Sequence, residues 1–216
     1  MNTENYWYCD WYENQATDQE KYLVEKVISF SDLFADMLFE PETSTFKLIQ
    51  CQSRMSESGE WTDAKIILPS ELSAFTYSFF HFKVASLEKG GGLFNPREQA
   101  LIISPESLEN DSIILHELIH LHEFVLNELP MFYHDMVYWA LYKDLKEKIP
   151  QLDDIITGHA HLLTGSLIYL KGGVHDILFL LKSFDLDIRK GYPLGTVFAY
   201  GRDIELKEYS YIRGIE

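Results

Sequence analysis

Hydrophobic and polar positions follow two different periods along the first hundred residues. Apolar side chains recur every three or four residues between about 19 and 40, which predicts a helix that Asp18 caps and Pro41 ends. Short apolar or β-branched runs then predict strands at 45–52, 64–68 and 100–104. The segment 75–87 fits either a strand near its centre or a helix, so its assignment stays open.

The second half of the chain has a helical period almost throughout. Apolar stripes separated by proline or glycine predict helices at 112–128, 130–149, 152–170 and 174–188, followed by a short strand at 196–200. A small mixed sheet in the first half, packed on a helical second half, gives an α+β fold. The length fits one domain over residues 1–216, with residues 1–60 as a helical N-terminal appendage in the alternative arrangement.

The charge of the chain argues against several classes of partner. Its 18 Lys and Arg against 34 Asp and Glu give a net charge of −16, whereas phosphate recognition depends on clustered basic residues. We therefore expect neither a nucleic acid nor an anionic membrane as a partner. The start of the chain lacks a signal-peptide pattern, and no apolar run reaches the ~20 residues of a membrane span. With only Cys9 and Cys51, which allow at most one disulfide, these features predict a cytoplasmic protein.

Histidines are concentrated in the helical half of the chain. Seven of the eight lie between His116 and His175, and His116, Glu117 and His120 form the pattern HExxH. Residues four apart share one face of a helix, so both imidazoles can reach a single Zn²⁺. Glu117 is turned by about 100° from His116 and can take a proton from water that the metal activates. A chance match is expected in roughly 3% of chains of this composition. The alternative is a pair of core histidines satisfied by hydrogen bonds.

This motif and its apolar surroundings resemble the active-site helix of the zincin metallopeptidases. The resemblance covers about residues 92–128, including the strand predicted before the helix. It implies that His116 and His120 bind zinc and that Glu117 is the general base. It also implies that the strand at 100–104 lies at a sheet edge, where an extended peptide substrate pairs with it.

The chain departs from better-defined zincin patterns. The extension HExxHxxGxxH is absent, because Glu123 and Leu126 stand at its last two positions, and no thermolysin-type Asn-Glu-x-x-Ser-Asp segment follows. His122 stands where zincins usually carry an apolar residue, and we expect it on a solvated flank. The residues therefore indicate the superfamily and no family within it.

A third zinc ligand is needed, because a catalytic zinc ion normally has three protein ligands and a water. The motif helix continues about seven residues past His120 before the chain turns back, so an antiparallel helix brings residues 134–138 level with His120. His134 is the favoured third ligand and Asp135 is next, with the orientation of a histidine as its other role. The remaining candidates are His159, His161 and His175.

Other polar residues suggest supporting roles. Glu123 lies on the face of the two motif histidines but one turn further along, which suits an orienting role better than direct ligation. Zincins often supply a His, Tyr or Arg that stabilises the oxyanion. The candidates for this role are His175, Tyr192 and Tyr200.

Three functions follow from these patterns. The favoured one is a zinc-dependent hydrolase, a metallopeptidase that acts on a peptide or protein substrate with Glu117 as general base. The alternative is a zincin-like protein that binds metal or a partner without turning over peptide. The third is an interaction domain without metal, which uses the aromatic segment 6–12 and an acidic surface.

Overall fold

A computed structural model describes residues 14–30, 33–34, 48–50, 65–67, 80–88, 90–127, 131–164 and 175–200. In chain order they form α1 (Asp18–Ser29), β1 (Leu48–Gln50), β2 (Lys65–Ile67), β3 (His81–Val84), β4 (Gly92–Asn95), β5 (Ala100–Ile103), α2 (Asp111–Asn127), α3 (Met131–Lys148), α4 (Leu152–Thr164) and α5 (Ile177–Lys190). A short 3-10 helix, Pro105–Ser107, joins β5 to α2. The predicted α+β class is confirmed.

The first helix differs from its prediction at both ends. Thr17, not Asp18, is the N-cap: its hydroxyl accepts the Glu20 amide, while the Glu20 carboxylate accepts the Thr17 amide. The helix ends at Ser29, whose hydroxyl donates to the backbone carbonyl of Lys26 at 2.6 Å. Such a side-chain bond competes with the helical backbone pattern, which the apolar spacing alone does not reveal.

The strand that precedes the motif helix lies in the middle of a three-stranded sheet. β5 pairs in parallel with β3 and antiparallel with β4, so that Leu101 stands opposite Phe82 on one side and Phe94 on the other. A strand at 100–104 is confirmed, but its expected position at the sheet edge is wrong. Its unbroken apolar run is typical of a strand buried on both faces. Within the described residues, β3 and β4 are the outer strands of this sheet, and β1 and β2 form a separate antiparallel pair.

The helices of the second half lie close to their predicted limits. α2 and α3 each match within one residue, and α4 begins at Leu152 as predicted. α5 begins three residues later than predicted, at Ile177, because the Asp176 side chain accepts the Phe179 amide and caps the helix there.

The motif helix α2 lies between the sheet and the other helices. It contacts β4 and β5 on one side and α3 and α5 on the other. Its side chains Ile114, Leu115 and Leu118 are buried, and each such burial contributes about 1.5–3 kcal/mol to folding. In α3, the side chains of Val137, Leu141 and Leu145 are also buried. The motif is therefore carried by a central element of the core.

The last described segment forms consecutive turns instead of the strand predicted at 196–200. Turn-type backbone bonds recur along it, and φ is positive at Gly195 (88°) and Tyr200 (60°), outside the range of an extended strand. The strand prediction is therefore wrong here. The buried carboxylate of Asp187 accepts the amides of Gly195 and Val197, so these groups bond to a side chain rather than to a neighbouring strand.

Some predictions concern residues outside the described ranges. These are the aromatic segment 6–12, Cys9 and Cys51, the end of the first helix at 35–40 and the end of the third predicted helix at 165–170. The appendage over residues 1–60 also stays a prediction, although α1 itself packs against β3. Among the described helices, none has both the length and the apolar character that crossing a membrane requires.

Candidate metal centre

Helix α2 places the motif in a buried and well-anchored position. The Asn110 side chain accepts the Ser112 amide at 3.1 Å, so the cap lies two residues before the predicted start at 112. Asp111 in the first turn pairs with a lysine of α1 at 3.0 Å and one of α5 at 3.3 Å. One turn further along, His116 is fully buried and Glu117 is only 2% exposed. The motif therefore faces the interior, as the apolar residues around it predicted.

Three histidines from two elements come together at this point. His116 and His120 project from α2, and His175 precedes the start of α5; one nitrogen of each lies within 4.8 Å of the others. The Nε2 atoms of His116 and His175 are 3.0 Å apart. Two imidazole nitrogens bound to one tetrahedral zinc ion at 2.0–2.1 Å are separated by about 3.3 Å. The His116–His175 pair therefore has nearly the spacing of two ligands of one metal ion, and the His120 nitrogen lies within 4.8 Å of both.

A backbone carbonyl group fixes the orientation of the His116 ring. Its Nδ1 lies 2.9 Å from the carbonyl oxygen of Val197. A carbonyl can only accept, so Nδ1 must carry the proton and Nε2 must present its lone pair towards His175. An imidazole that donates its other N–H to a carbonyl is the usual arrangement of a metal-binding histidine.

The protein environment keeps these histidines uncharged. Burial lowers the pKa of His116 well below its usual value, and the neighbouring His175 and His120 lower it further. Burial and His175 lower the pKa of His120 to about 3. Burial and His159 lower the pKa of His175 to about 4, against the opposing effect of Asp176. Neutral imidazole is the form that binds a metal, so the site needs to lose no proton to do so near pH 7.

Aromatic rings enclose the cluster. The centroid of Phe179 lies 4.6–4.7 Å from those of His116, His120 and His175. Tyr200 stacks on His116 with 3.8 Å between ring centroids and an interplanar angle of 25°. An apolar shell of this kind limits the access of solvent and fixes the ligand rings.

Glu117 lies beside the three histidines, and its two carboxylate oxygens differ in their hydrogen bonding. Its Oε2 accepts the backbone amide of Phe94 in β4 at 2.8 Å, and the Tyr200 hydroxyl also donates to its carboxylate. Among the described residues, its Oε1 is buried and has no hydrogen-bond partner. Burial raises the pKa of Glu117 to about 7, against the opposing effect of these two donors. A carboxylate with this pKa is suited to taking up a proton near neutral pH.

The approach of β4 to Glu117 depends on a glycine. A Cβ atom on Gly92 would lie 2.6 Å from Cγ and 3.0 Å from Oε1 of Glu117. The Phe94 amide points away from β5, because alternate residues of an antiparallel strand bond to the partner. The sequence signal for this contact is the glycine run 90–92, which by itself indicates only a break between elements.

His159 fixes the backbone of the third histidine. Its Nε2 bonds to the carbonyl oxygen of His175 at 2.8 Å, and its ring packs edge-on against Phe198. It was predicted as a possible ligand, but in the structure it supports the residue that lies in the cluster. No local pattern along the chain could indicate this pairing, because His159 lies in α4 and His175 in the segment before α5.

Two predicted candidates cannot be placed relative to the cluster. His134 and Asp135 lie in the first turn of α3, but their side chains, like that of His161, are outside the described part of the structure. The prediction that His134 is the third ligand therefore stays a prediction. Tyr192, an oxyanion candidate, follows the end of α5 and lies beside Lys190.

Two further polar residues of α2 lie near the cluster: His122 is buried and Glu123 is partly buried. Glu123 Oε2 lies 3.7 Å from His120 Nδ1, beyond hydrogen-bond distance, and burial together with Asp176 raises the pKa of Glu123 well above its usual value. His122 was expected on a solvated flank, and this is wrong: it is 7% exposed, and its ring packs 5.4 Å from that of Phe34. Both side chains face α5, which the helical period of α2 alone could not indicate.

In comparisons with known proteins, no family model, no curated protein and no solved structure matches this chain. The zincin resemblance therefore depends on the motif residues themselves. The functional interpretation rests on the geometry of the three histidines and of Glu117.

Proposed function

We propose that this chain is a zinc-dependent hydrolase, specifically a metallopeptidase, in which His116, His120 and His175 hold the metal and Glu117 is the general base. The observation that carries the proposal is the cluster of three histidine nitrogens within 4.8 Å beside a buried carboxylate. His175 was predicted as an oxyanion candidate and as one of the less favoured candidates for the third ligand. We assign it as a ligand because its Nε2 lies 3.0 Å from that of His116.

The residues fit a zinc ion in their chemistry as well as their spacing. Three neutral imidazoles suit zinc among the divalent transition metals, and three protein ligands leave the fourth position that a catalytic site needs. The Val197 carbonyl fixes the proton of His116 on Nδ1, which leaves Nε2 to bind. The orphaned Oε1 of Glu117 supplies an acceptor next to the cluster.

The proposed reaction is the hydrolysis of a peptide bond by water. When bound, the zinc ion would polarise the scissile carbonyl and lower the pKa of water to about 7. Glu117 Oε1 takes a proton as the water oxygen bonds to the carbonyl carbon. Glu117 then gives this proton to the leaving nitrogen as the C–N bond breaks. A pKa of about 7 lets the same carboxylate both accept and release the proton.

Two neighbouring elements support this proposal. The Tyr200 ring stacks on His116 and its hydroxyl donates to Glu117; once Glu117 has taken up a proton, the hydroxyl is free to donate to the oxyanion instead. β4, rather than the predicted β5, is the outer strand beside Glu117, and its Leu93 side chain is 46% exposed. We therefore assign the docking of an extended peptide to β4, without its Phe94 amide, which is bonded to Glu117.

Zinc binding is the first test of the proposal. The purified protein should hold one zinc ion, and competition with a chromophoric chelator gives its affinity. We expect His116→Ala and His175→Ala to abolish tight binding. His122→Gln is the matched control, because it changes a buried histidine of the same helix that packs against Phe34 and should leave the affinity unchanged. A wild-type protein that takes up no added zinc would contradict the proposal, and unchanged affinity in His175→Ala would contradict the ligand assignment.

Peptide cleavage is the second test. A broad peptide library is incubated with the zinc-loaded protein, and products are identified by mass spectrometry. We expect cleavage by the wild type and a loss of about 10²- to 10⁴-fold in Glu117→Gln at unchanged zinc content. Zinc binding without any cleavage would instead support a metal-binding protein without turnover. A melting temperature that chelator does not change would support the interaction domain without metal.

A further inference from the structure

Helix α5 carries a second buried carboxylate that the proposed reaction does not use. Asp187 is fully buried, and both of its oxygens are engaged: Oδ1 accepts the Val197 amide at 2.9 Å and Oδ2 accepts the Gly195 amide at 2.7 Å. Its backbone carbonyl also accepts the Tyr192 amide at 2.8 Å. A single residue of α5 therefore binds several amides of the segment that follows the helix.

This segment, residues 191–200, provides three of the contacts that shape the metal centre. The Val197 carbonyl accepts the Nδ1 proton of His116, and the Tyr200 ring stacks on the same imidazole. The Tyr200 hydroxyl donates to the Glu117 carboxylate. The position of the segment thus determines which ring nitrogen of His116 carries the proton and where the Glu117 carboxylate lies.

The segment cannot hold this position by regular secondary structure. It consists of turns whose backbone bonds join residues three or four apart, such as Ala199 N–H to Gly195 O. Tyr200 has a φ of 60°, a left-handed conformation that a residue with a Cβ adopts only when its surroundings impose it. Local bonds fix the shape of the turns, whereas the two bonds to Asp187 attach them to α5.

We propose that Asp187 is a positioning residue of the metal centre, which holds the Val197 carbonyl against His116 and the Tyr200 ring over it. The inference rests on the proposed function in so far as His116 binds the metal. Asp187 touches neither the cluster nor a substrate, so its effect passes through residues 195–200. Its oxygens act as a two-point acceptor, and an amide at this position would turn a donor towards one of the two N–H groups.

The test compares Asp187→Asn with Asp185→Asn. Asp185 lies on the same helix, is buried and pairs with Lys182, so its loss perturbs the fold without contacting the segment. We expect Asp187→Asn to weaken zinc binding about 10- to 100-fold and to change the visible spectrum of the Co²⁺-substituted protein. We expect Asp185→Asn to lower the melting temperature but to keep the zinc affinity within about threefold and the Co²⁺ spectrum unchanged. Wild-type affinity and spectrum in Asp187→Asn would overturn the inference.

A readout without metal separates this inference from the proposed function. In the metal-free wild type, the ¹⁵N shifts of His116 should report the proton on Nδ1, and Asp187→Asn should give a mixture of tautomers. The same tautomer in both proteins would overturn the role of Asp187, even if zinc binding itself failed. If Asp187→Asn does not fold, hydrogen exchange of the wild type decides. The Gly195 and Val197 amides should exchange at least about 100-fold more slowly than free amides, and exchange at the free rate would overturn the inference.

Discussion

Replacing Gly92 by alanine adds one methyl group at the point where β4 meets the proposed base. The added Cβ would lie 2.6 Å from Glu117 Cγ, 3.0 Å from Glu117 Oε1 and 3.0 Å from Ile113 Cγ2. Carbon atoms in contact are normally about 3.5–4.0 Å apart, so the strand or the glutamate has to move by about 1 Å. This movement also disturbs the 2.8 Å bond between the Phe94 amide and Glu117.

The size of both effects follows from this displacement. Overpacking of this kind costs about 1–3 kcal/mol of unfolding free energy, which for a domain of this length lowers the melting temperature by about 2–12 °C. Displacing a catalytic group by about 1 Å lowers the rate about 100-fold. We therefore expect Gly92→Ala to lose about 100-fold in peptide cleavage while its zinc affinity stays within about threefold of the wild type.

Gly91→Ala is the matched control. Its Cβ would collide with the Ser107 side chain and lie 2.6 Å from Ile113 Cδ1, so it overpacks the residue directly before β4 without reaching Glu117. Both variants are assayed for thermal unfolding, zinc affinity and cleavage, well below their melting temperatures. We expect similar losses of stability but a large loss of rate only in Gly92→Ala. Equal rates in the two variants would show that Gly92 does not set the position of the base.

Three further predictions concern the metal, the hydroxyl and the pH dependence. Zinc at 100 times its dissociation constant should raise the melting temperature by about 5–11 °C over the protein in chelator, as scanning calorimetry can measure; no difference would contradict metal binding to the native state. Tyr200→Phe keeps the ring on His116 but loses the hydroxyl, so we expect turnover to fall about 100-fold with unchanged zinc affinity and KM; an unchanged kcat would exclude Tyr200 from oxyanion stabilisation. Burial, with the Lys182 charge, lowers the pKa of His122 from its ordinary value of 6.5 to about 3 in the folded protein. As the pH falls, the His122 side chain therefore takes up a proton in the unfolded chain before it does so in the folded protein. Urea unfolding in chelator should therefore show the wild type losing about 1.4 kcal/mol per pH unit relative to His122→Gln between pH 6 and pH 4; parallel curves would contradict a buried, neutral His122.

Local patterns in the sequence predicted most of the helices and the core of the site. HExxH needs only a helix to bring His116 and His120 to one face, and the apolar residues around the motif indicated its burial. The apolar run at 100–104 also predicted the strand β5. Its place in the centre of the sheet was not, because that depends on pairing with β3 and β4, which the period along one strand does not encode.

The remainder of the site depends on contacts between distant segments. His175 is 59 residues along the chain from His116. The prediction of the third ligand considered mainly the helix that directly follows α2, which brings residues 134–138 level with His120. The Phe94 amide and the Val197 carbonyl are backbone groups, which no pattern of residue types can indicate. The segment 196–200 had the composition of a strand, yet Asp187 binds the amides that a strand would have paired.

An anomalous-difference map from crystals grown with zinc tests the central claim most directly. The three-histidine site predicts a single strong peak about 2.0–2.1 Å from Nε2 of His116, from Nε2 of His175 and from one ring nitrogen of His120. A map without a peak at this position, or a peak whose third protein ligand is His134 or Asp135 instead of His175, would contradict it.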